Sequence, residues 1–311
     1  MNKWGTILTG LAALGSLALL MSVPSKAADQ IPESDDPIVL ALYEWTGQHV
    51  TTYIAGHLLE RMGYKVEYVT AGSFPSATGL ADGDITAALE LWSNSMGEVH
   101  PKYIAEGKTI DLGDTGIETR LGWLYPKHME KDCPGLPAWD AFLACSELFA
   151  TAETFPKGRF LDYPADWGVS STNFIRSKGL PFVPISAGSE GAMIAELKSS
   201  VQRKSPLVMK MWAPHWILSK VEHGWIEMPQ DLATEAELVP PRAFNVAWRG
   251  LKDKWPAAYR FLVAYKITNA IQEQLIDQID NGGQDVSVAT AKWIDENRPY
   301  WEPFVDAATK Q

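Results

Sequence analysis

The chain has 311 residues, 46% of them hydrophobic and 21% charged, with 27 Lys+Arg against 38 Asp+Glu. That composition excludes a disordered or fibrous chain, and the length is enough for two lobes, since a single core stops growing near ~250–300 residues. The formal charge of -11 argues against nucleic acid as a partner, because phosphate backbones attract Lys/Arg surfaces and repel an acidic one.

Residues 1–27 read as an export signal. Lys3 supplies a positive start, Ile7 to Val23 is apolar, and Ser25-Lys26-Ala27 puts small residues at both cleavage-site positions. Cleavage is expected after Ala27, in preference to an anchor helix, because the apolar stretch is shorter than the ~20 residues a span needs. The mature chain then carries 25 Lys+Arg against 38 Asp+Glu, or -13, and is expected in the periplasm.

The elements that follow alternate strand and helix. Ile38 to Tyr43 has strand length, and Thr46 is placed to cap a helix through Arg61 with Val50, Ile54, Leu58 and Leu59 on one face, closed by Gly63. Lys65 to Thr70 alternates as a strand. Gly72 to Pro75 turns, a short helix passes Leu80, and Gly83 introduces a strand from Asp84 to Leu91. This βαβαβ order predicts a mainly parallel sheet.

A second α/β stretch begins with a strand at Leu121 to Tyr125. Cys133 and Cys145, the only two cysteines, flank a turn made by Pro134, Gly135 and Pro137 and a short helix near Trp139. A disulfide here would contribute about 2–3 kcal/mol in the chain-entropy model, the alternative being two separate buried thiols. No further Cys and no nearby His offers a metal set, so no metal is expected. Phe174 to Lys178 reads as helical and Pro206 to Trp212 as a strand. Residues 228–247, with Pro229, Pro240 and Pro241, read as a crossover, and Pro256 to Asp280 as one helix with Phe261, Ala264, Ile267, Ile271 and Leu275 in register. The partition is lobe one at 28–118 and again at 228–311, with lobe two at 119–227 and the C-terminal helix returning to lobe one.

Thirteen tryptophans are the largest departure from an ordinary composition. Trp45, Trp92, Trp123 and Trp212 fall where predicted strands end, and Trp167 sits in a Pro-rich turn. Strand ends are where open α/β sheets bind ligands. Several indole faces around one point suit a cation without N–H groups, a quaternary ammonium, because each face carries the negative pole of the ring quadrupole. Trp139, Trp248, Trp255, Trp293 and Trp301 read as core instead.

The segments LYEWTGQHV (42–50), GDITAALELW (83–92), GWLYPKHM (122–129), PADWGVS (164–170) and MWAPHW (211–216) together resemble the glycine betaine, proline betaine and choline substrate-binding proteins of ABC importers. The resemblance covers almost the whole mature chain. It implies a type II-like, two-lobed periplasmic binding fold with the ligand in the inter-lobe cleft, no cofactor, and a membrane permease as partner. It also implies cage roles for Trp45, Trp167 and Trp212, a carboxylate-binding role for His49 and for the Gly168 and Val169 amides, and less regular cage roles for Trp92 and Trp123.

Two positions narrow the ligand. Gly47 stands where the choline-binding branch carries an acid, which weakens a choline reading. Glu90 lies two residues before Trp92 on one strand face and is placed to balance an ammonium at the cage rim, or else to pair with a surface Lys or Arg. Glycine betaine leads, with trimethylamine N-oxide, dimethylsulfoniopropionate, proline betaine and choline as competitors. The sequence has no G-x-S-x-G elbow, phosphate-cradling Gly loop or H-E-x-x-H, so an exported enzyme on the same scaffold is the weaker alternative. A sensor subunit shares the binding chemistry.

Overall fold

Two five-stranded sheets organise the chain, which the computed structural model describes at Met1 and at residues 31–94 and 97–309. Apart from Met1, the expected export signal lies outside the described residues. The first sheet holds β1 (Ile38–Leu42), β2 (Val66–Thr70), β3 (Ala87–Trp92), β4 (Thr109–Asp114) and β10 (Ala243–Trp248), in the order β2-β1-β3-β10-β4. The second holds β5 (Arg120–Pro126), β6 (Gly158–Asp162), β7 (Phe182–Ser186), β8 (Met209–Ala213) and β9 (His223–Trp225), in the order β7-β6-β8-β5-β9. The chain crosses between them twice, after β4 and after β9.

The parallel part of the first sheet is as the alternation predicts: β1 pairs in parallel with β2 and β3. β3 is buried along its whole length, the signature of a central strand covered on both faces. The helix α1 (Thr46–Arg61) crosses this sheet and buries Val50, Ile54, Leu58 and Leu59 as expected. Trp45, however, occupies its N-cap position without a side-chain cap, and Thr46 is the first helical residue.

The crossover expected at 228–247 instead ends in β10, which runs antiparallel between β3 and β4. Pro240 and Pro241 mask it in the sequence, yet both precede the apolar run Ala243–Trp248 and leave its ladder N–H groups free. The single helix expected over 256–280 is also broken. It runs Pro256–Ala264, stops, restarts at Asn269–Ile276 and ends in a π-helical turn Asp277–Asn281. The break exists because Ile267 N–H donates to the Thr115 carbonyl at 2.9 Å, while Thr268 Oγ1 accepts from Ile271 N–H to cap the restart. The helices Val286–Glu296 and Arg298–Thr309 pack on α1 and on Pro256–Ala264 respectively.

In the second sheet, β6, β7 and the helix Glu190–Arg203 escaped the sequence reading, because Arg159, Asp162 and Pro184 interrupt the alternation of two five-residue strands. The helix expected from Phe174 starts earlier, at Ser170, and ends at Ser177. Cys133 and Cys145 are joined by a disulfide with Cα atoms 5.8 Å apart. The loop it closes carries Trp139 and Phe142 into an aromatic core with Trp123, Phe160 and Phe174. Trp123 is therefore core: it is 1% exposed and its Nε1 donates to Ser171 Oγ at 3.0 Å. The residues Trp139, Trp255, Trp293 and Trp301 are buried as expected, and Trp248 is half-buried.

Candidate functional site

The site starts at the turn between β1 and α1. Gln48, fully buried, accepts from Tyr43 N–H at 2.9 Å and donates to the Ala41 carbonyl at 2.9 Å and the Leu89 carbonyl at 3.2 Å. One amide thus ties the first turn of α1 to β1 and β3 and fixes the segment carrying Tyr43 and Trp45. These two rings stack at 5.2 Å with an 8° interplanar angle, and Tyr43 Oη shares a 2.8 Å hydrogen bond with Ser76 Oγ.

Beneath Trp45 lies Glu90, 1% exposed. Its φ of 56° puts it in the left-handed region, at a bulge where β3 and β10 lose register beside Asn245. Glu90 N–H leaves the ladder and donates to Asn245 Oδ1 at 3.0 Å. Its Oε1 accepts from Trp45 Nε1 and from Trp92 Nε1, each at 3.3 Å, and its Oε2 accepts from Thr51 Oγ1 at 2.5 Å and from Gln272 Nε2 at 2.6 Å. Burial pushes the Glu90 carboxyl up to about 7 against these four donors, which each favour the charged form.

Tyr163, Trp167 and Trp212 form the opposite wall. Trp167 meets Trp45 edge-on at 5.7 Å, Trp212 at 5.6 Å and Tyr163 at 5.8 Å, while Tyr163 and Trp212 meet at 5.5 Å and 81°. Near-perpendicular rings leave faces turned to a common space, and with Trp92 they line a cavity of about 70 Å³. That is room for a small molecule, since a water needs only ~10–15 Å³ on such a measure. Glu44 and Asp166 are exposed at its margin. Two lining residues carry buried polar atoms without a partner among the described residues, Tyr163 Oη and Asn94 Oδ1. Behind Tyr163 the buried Lys210 ammonium lies 4.7 Å from the ring centroid and donates to Ser170 Oγ at 2.6 Å. Burial lowers its proton affinity, partly offset by Asp162.

The structure thus brings Trp45, Trp92, Trp167 and Trp212 together. The other expected site residues stand off the lining. Trp123 is in the second core. The His49 ring meets the Tyr43 carbonyl through Nε2. Gly168 N–H donates to the Ala165 carbonyl at 3.4 Å, and its φ of 106° turns the chain into the helix that Val169 precedes. Glu90 reaches the indole nitrogens from below rather than the cage rim. Tyr43 and Tyr163 were missed, although both lie within four residues of a cage tryptophan, and Gln48 and Gln272 gave no pattern at all.

An aromatic cavity at the C-terminal strand ends of two facing α/β sheets is the architecture of a two-lobed substrate-binding protein. The chain belongs to the family of substrate-binding domains of ABC-type glycine betaine transport systems, whose family model matches residues 36–296. It is 30% identical over 207 residues to the trimethylamine N-oxide-binding protein of Pelagibacter ubique, a match covering 64% of this chain and 66% of that one, just under two thirds. It also resembles an ABC-transporter choline-binding protein solved with choline (TM-score 0.75, 18% identity, 90% of this chain and 95% of that one). A lactococcal protein in a closed, glycine betaine-bound conformation is similar as well (TM-score 0.70, 19% identity, 89% and 100%). At these identities the structural likeness is one of fold.

Proposed function

We propose that this chain captures a small trimethylated cation bearing an oxygen, of the glycine betaine class including trimethylamine N-oxide, and delivers it unchanged to an ABC permease of the inner membrane. In this reading residues 28–311 work in the periplasm after cleavage at Ala27, and lobe one (28–118 and 228–311) closes on lobe two (119–227). The carrying observation is the aromatic cavity with a buried carboxylate behind one wall and a buried ammonium behind the other. Glu90 makes the Trp45 and Trp92 faces more negative by accepting their N–H groups, which suits the methylated cation. Lys210 behind Tyr163 suits an oxygen of opposite charge, and the Tyr163 hydroxyl, which has no partner among the described residues, has a proton to donate to it. Such polarity favours a zwitterion or N-oxide over choline.

Calorimetric titration of residues 28–311 against glycine betaine, trimethylamine N-oxide, dimethylsulfoniopropionate, proline betaine, choline and tetramethylammonium tests the reading, and recovery of unaltered ligand separates binding from catalysis. Failure of every methylated cation to bind would reject it. Tyr163→Phe is expected to weaken glycine betaine about ten- to a hundredfold, as befits one lost hydrogen bond to a charged group, and to leave tetramethylammonium nearly unchanged. Equal losses for both would remove Tyr163 from the oxygen side of the site.

A further inference from the structure

Beside the cage, the cleft is crossed by a second set of contacts built from charge and hydrogen bonds. Glu190, 8% exposed, opens the helix Glu190–Arg203 on the side of the second sheet. Its Oε2 accepts from the Thr46 backbone N–H at 2.9 Å and lies 3.3 Å from Thr46 Oγ1. Thr46 begins α1, and the N-cap residue Trp45 offers that helix no side-chain acceptor. The first turn of α1, where free amides and the helix dipole favour an anion, is therefore met by a carboxylate from the opposite lobe.

Neighbouring groups hold this carboxylate in place. His215, 1% exposed, places Nε2 3.1 Å from Glu190 Oε1, and Ile217 N–H donates to His215 Nδ1 at 3.2 Å. An Nδ1 that accepts leaves the ring proton on Nε2, pointing at Glu190. From the first lobe, Asp280 in the π-helical turn accepts from Thr46 Oγ1 at 2.8 Å and from Trp216 Nε1 at 3.1 Å. Lys220 and Asp277 continue the seam at 3.0 Å. Glu190, His215 and Asp280 bring ligand atoms within 4.8 Å of one another, but the proton on Nε2 leaves no imidazole lone pair for a metal there.

We propose that Glu190 is the closure latch of this protein, gripping the first turn of α1, and with it Trp45, only while the lobes are shut, and so setting how long a ligand stays. The latch rests on the ligand reading above. Glu190 does not line the cavity, so it is a positioning residue. A contact made only after the lobes meet acts on departure and not on arrival.

Stopped-flow tryptophan fluorescence with glycine betaine reads the two rates apart in wild type, Glu190→Ala and Glu190→Gln. The alanine variant should release ligand about tenfold faster, equivalent to about 1.4 kcal/mol, with the association rate within about twofold of wild type. Glutamine keeps an acceptor for Thr46 N–H and loses the charge, so its release rate should fall between the two; it also serves if the alanine variant folds poorly. Hydrogen exchange over residues 43–50, measured at saturating glycine betaine where the lobes are shut, should be faster in Glu190→Ala. An unchanged release rate with unchanged exchange would overturn the latch, as would an association rate reduced in step with affinity, or wild-type release that responds to Zn²⁺ or a chelator. If wild type binds none of the methylated cations, the ligand reading falls by itself; the latch is then read from exchange over residues 43–50 in the unliganded chain, where equal rates in wild type and Glu190→Ala overturn it.

Discussion

Replacing Trp167 with alanine is expected to weaken glycine betaine binding at least about thirtyfold, because a cation–π contact to a desolvated cation is worth about 2 kcal/mol and each 1.4 kcal/mol or so is tenfold. Trp167 is the ring to test first, since it touches Trp45 on one wall and Trp212 and Tyr163 on the other. It stands in a three-residue 3₁₀ turn, Ala165–Trp167, and is only partly buried, so its loss should leave thermal melting nearly unchanged. Trp212→Ala should cost comparable affinity with some stability as well, because that ring is buried within β8. Calorimetry paired with a thermal melt separates the two effects. Affinity within about threefold of wild type in both variants would place the cation elsewhere.

Glu90→Gln should cost about as much, though the side chain does not line the cavity. A glutamine at 90 must turn its NH₂ toward a pair of donors that now point at carboxylate oxygens, either the two indoles or Thr51 and Gln272. Leaving such buried donors unpaired costs about 1–3 kcal/mol, equivalent to a loss of about fivefold to somewhat over a hundredfold where it falls on the indoles of the cavity wall. The pH dependence identifies the cause. With its carboxyl raised from 4.5 to about 7, Glu90 is the more protonated group in the folded chain, so its contribution to stability is complete below the ordinary value and is lost as pH rises through about 7. Cation binding runs the other way, because the charged carboxylate is the form that enriches the indole faces. If only that form binds, affinity should rise about tenfold between pH 6 and pH 8 in wild type and stay flat in Glu90→Gln. A wild-type affinity independent of pH across that range would exclude Glu90 as the source of charge beneath the cage.

The readable parts of this molecule were those whose signals are local. One apolar face and a closing glycine locate α1, and strand ends locate three of the four tryptophans that line the cavity, Trp45, Trp92 and Trp212. Trp167 follows from its Pro-rich turn instead, and the fourth strand-end tryptophan, Trp123, is core. What escaped depends on partners remote in sequence. GDITAALELW reads as an uninterrupted strand, and nothing in it announces the bulge at Glu90, which arises because Asn245, 155 residues later, takes the Glu90 N–H. His49 sits one helical turn from Trp45, as its spacing implies, and its Nε2 meets the Tyr43 carbonyl, a contact that no local pattern announces. Gly47 was read against a choline pattern, but a Cβ there would lie 3.2 Å from the Gln272 amide, in a contact with the C-terminal helices that no neighbouring residue reveals. Nothing in the sequence singles out Glu190 or Asp280; only the fold sets both against one threonine, Thr46.

The strand order also fixes a sequence of events during synthesis. Chains made from the N-terminus commonly fold their first part first. Here β10, among the last residues to enter any sheet, lies between β3 and β4, whereas the second sheet has all its strands once Trp225 has been made. The earlier-encoded sheet is thus the later one to be completed, and its β4 has no strand to pair with until nearly four-fifths of the chain exists. A purified chain ending before residue 243 should therefore protect the amides of β5, β6 and β8 from exchange while leaving β4 open.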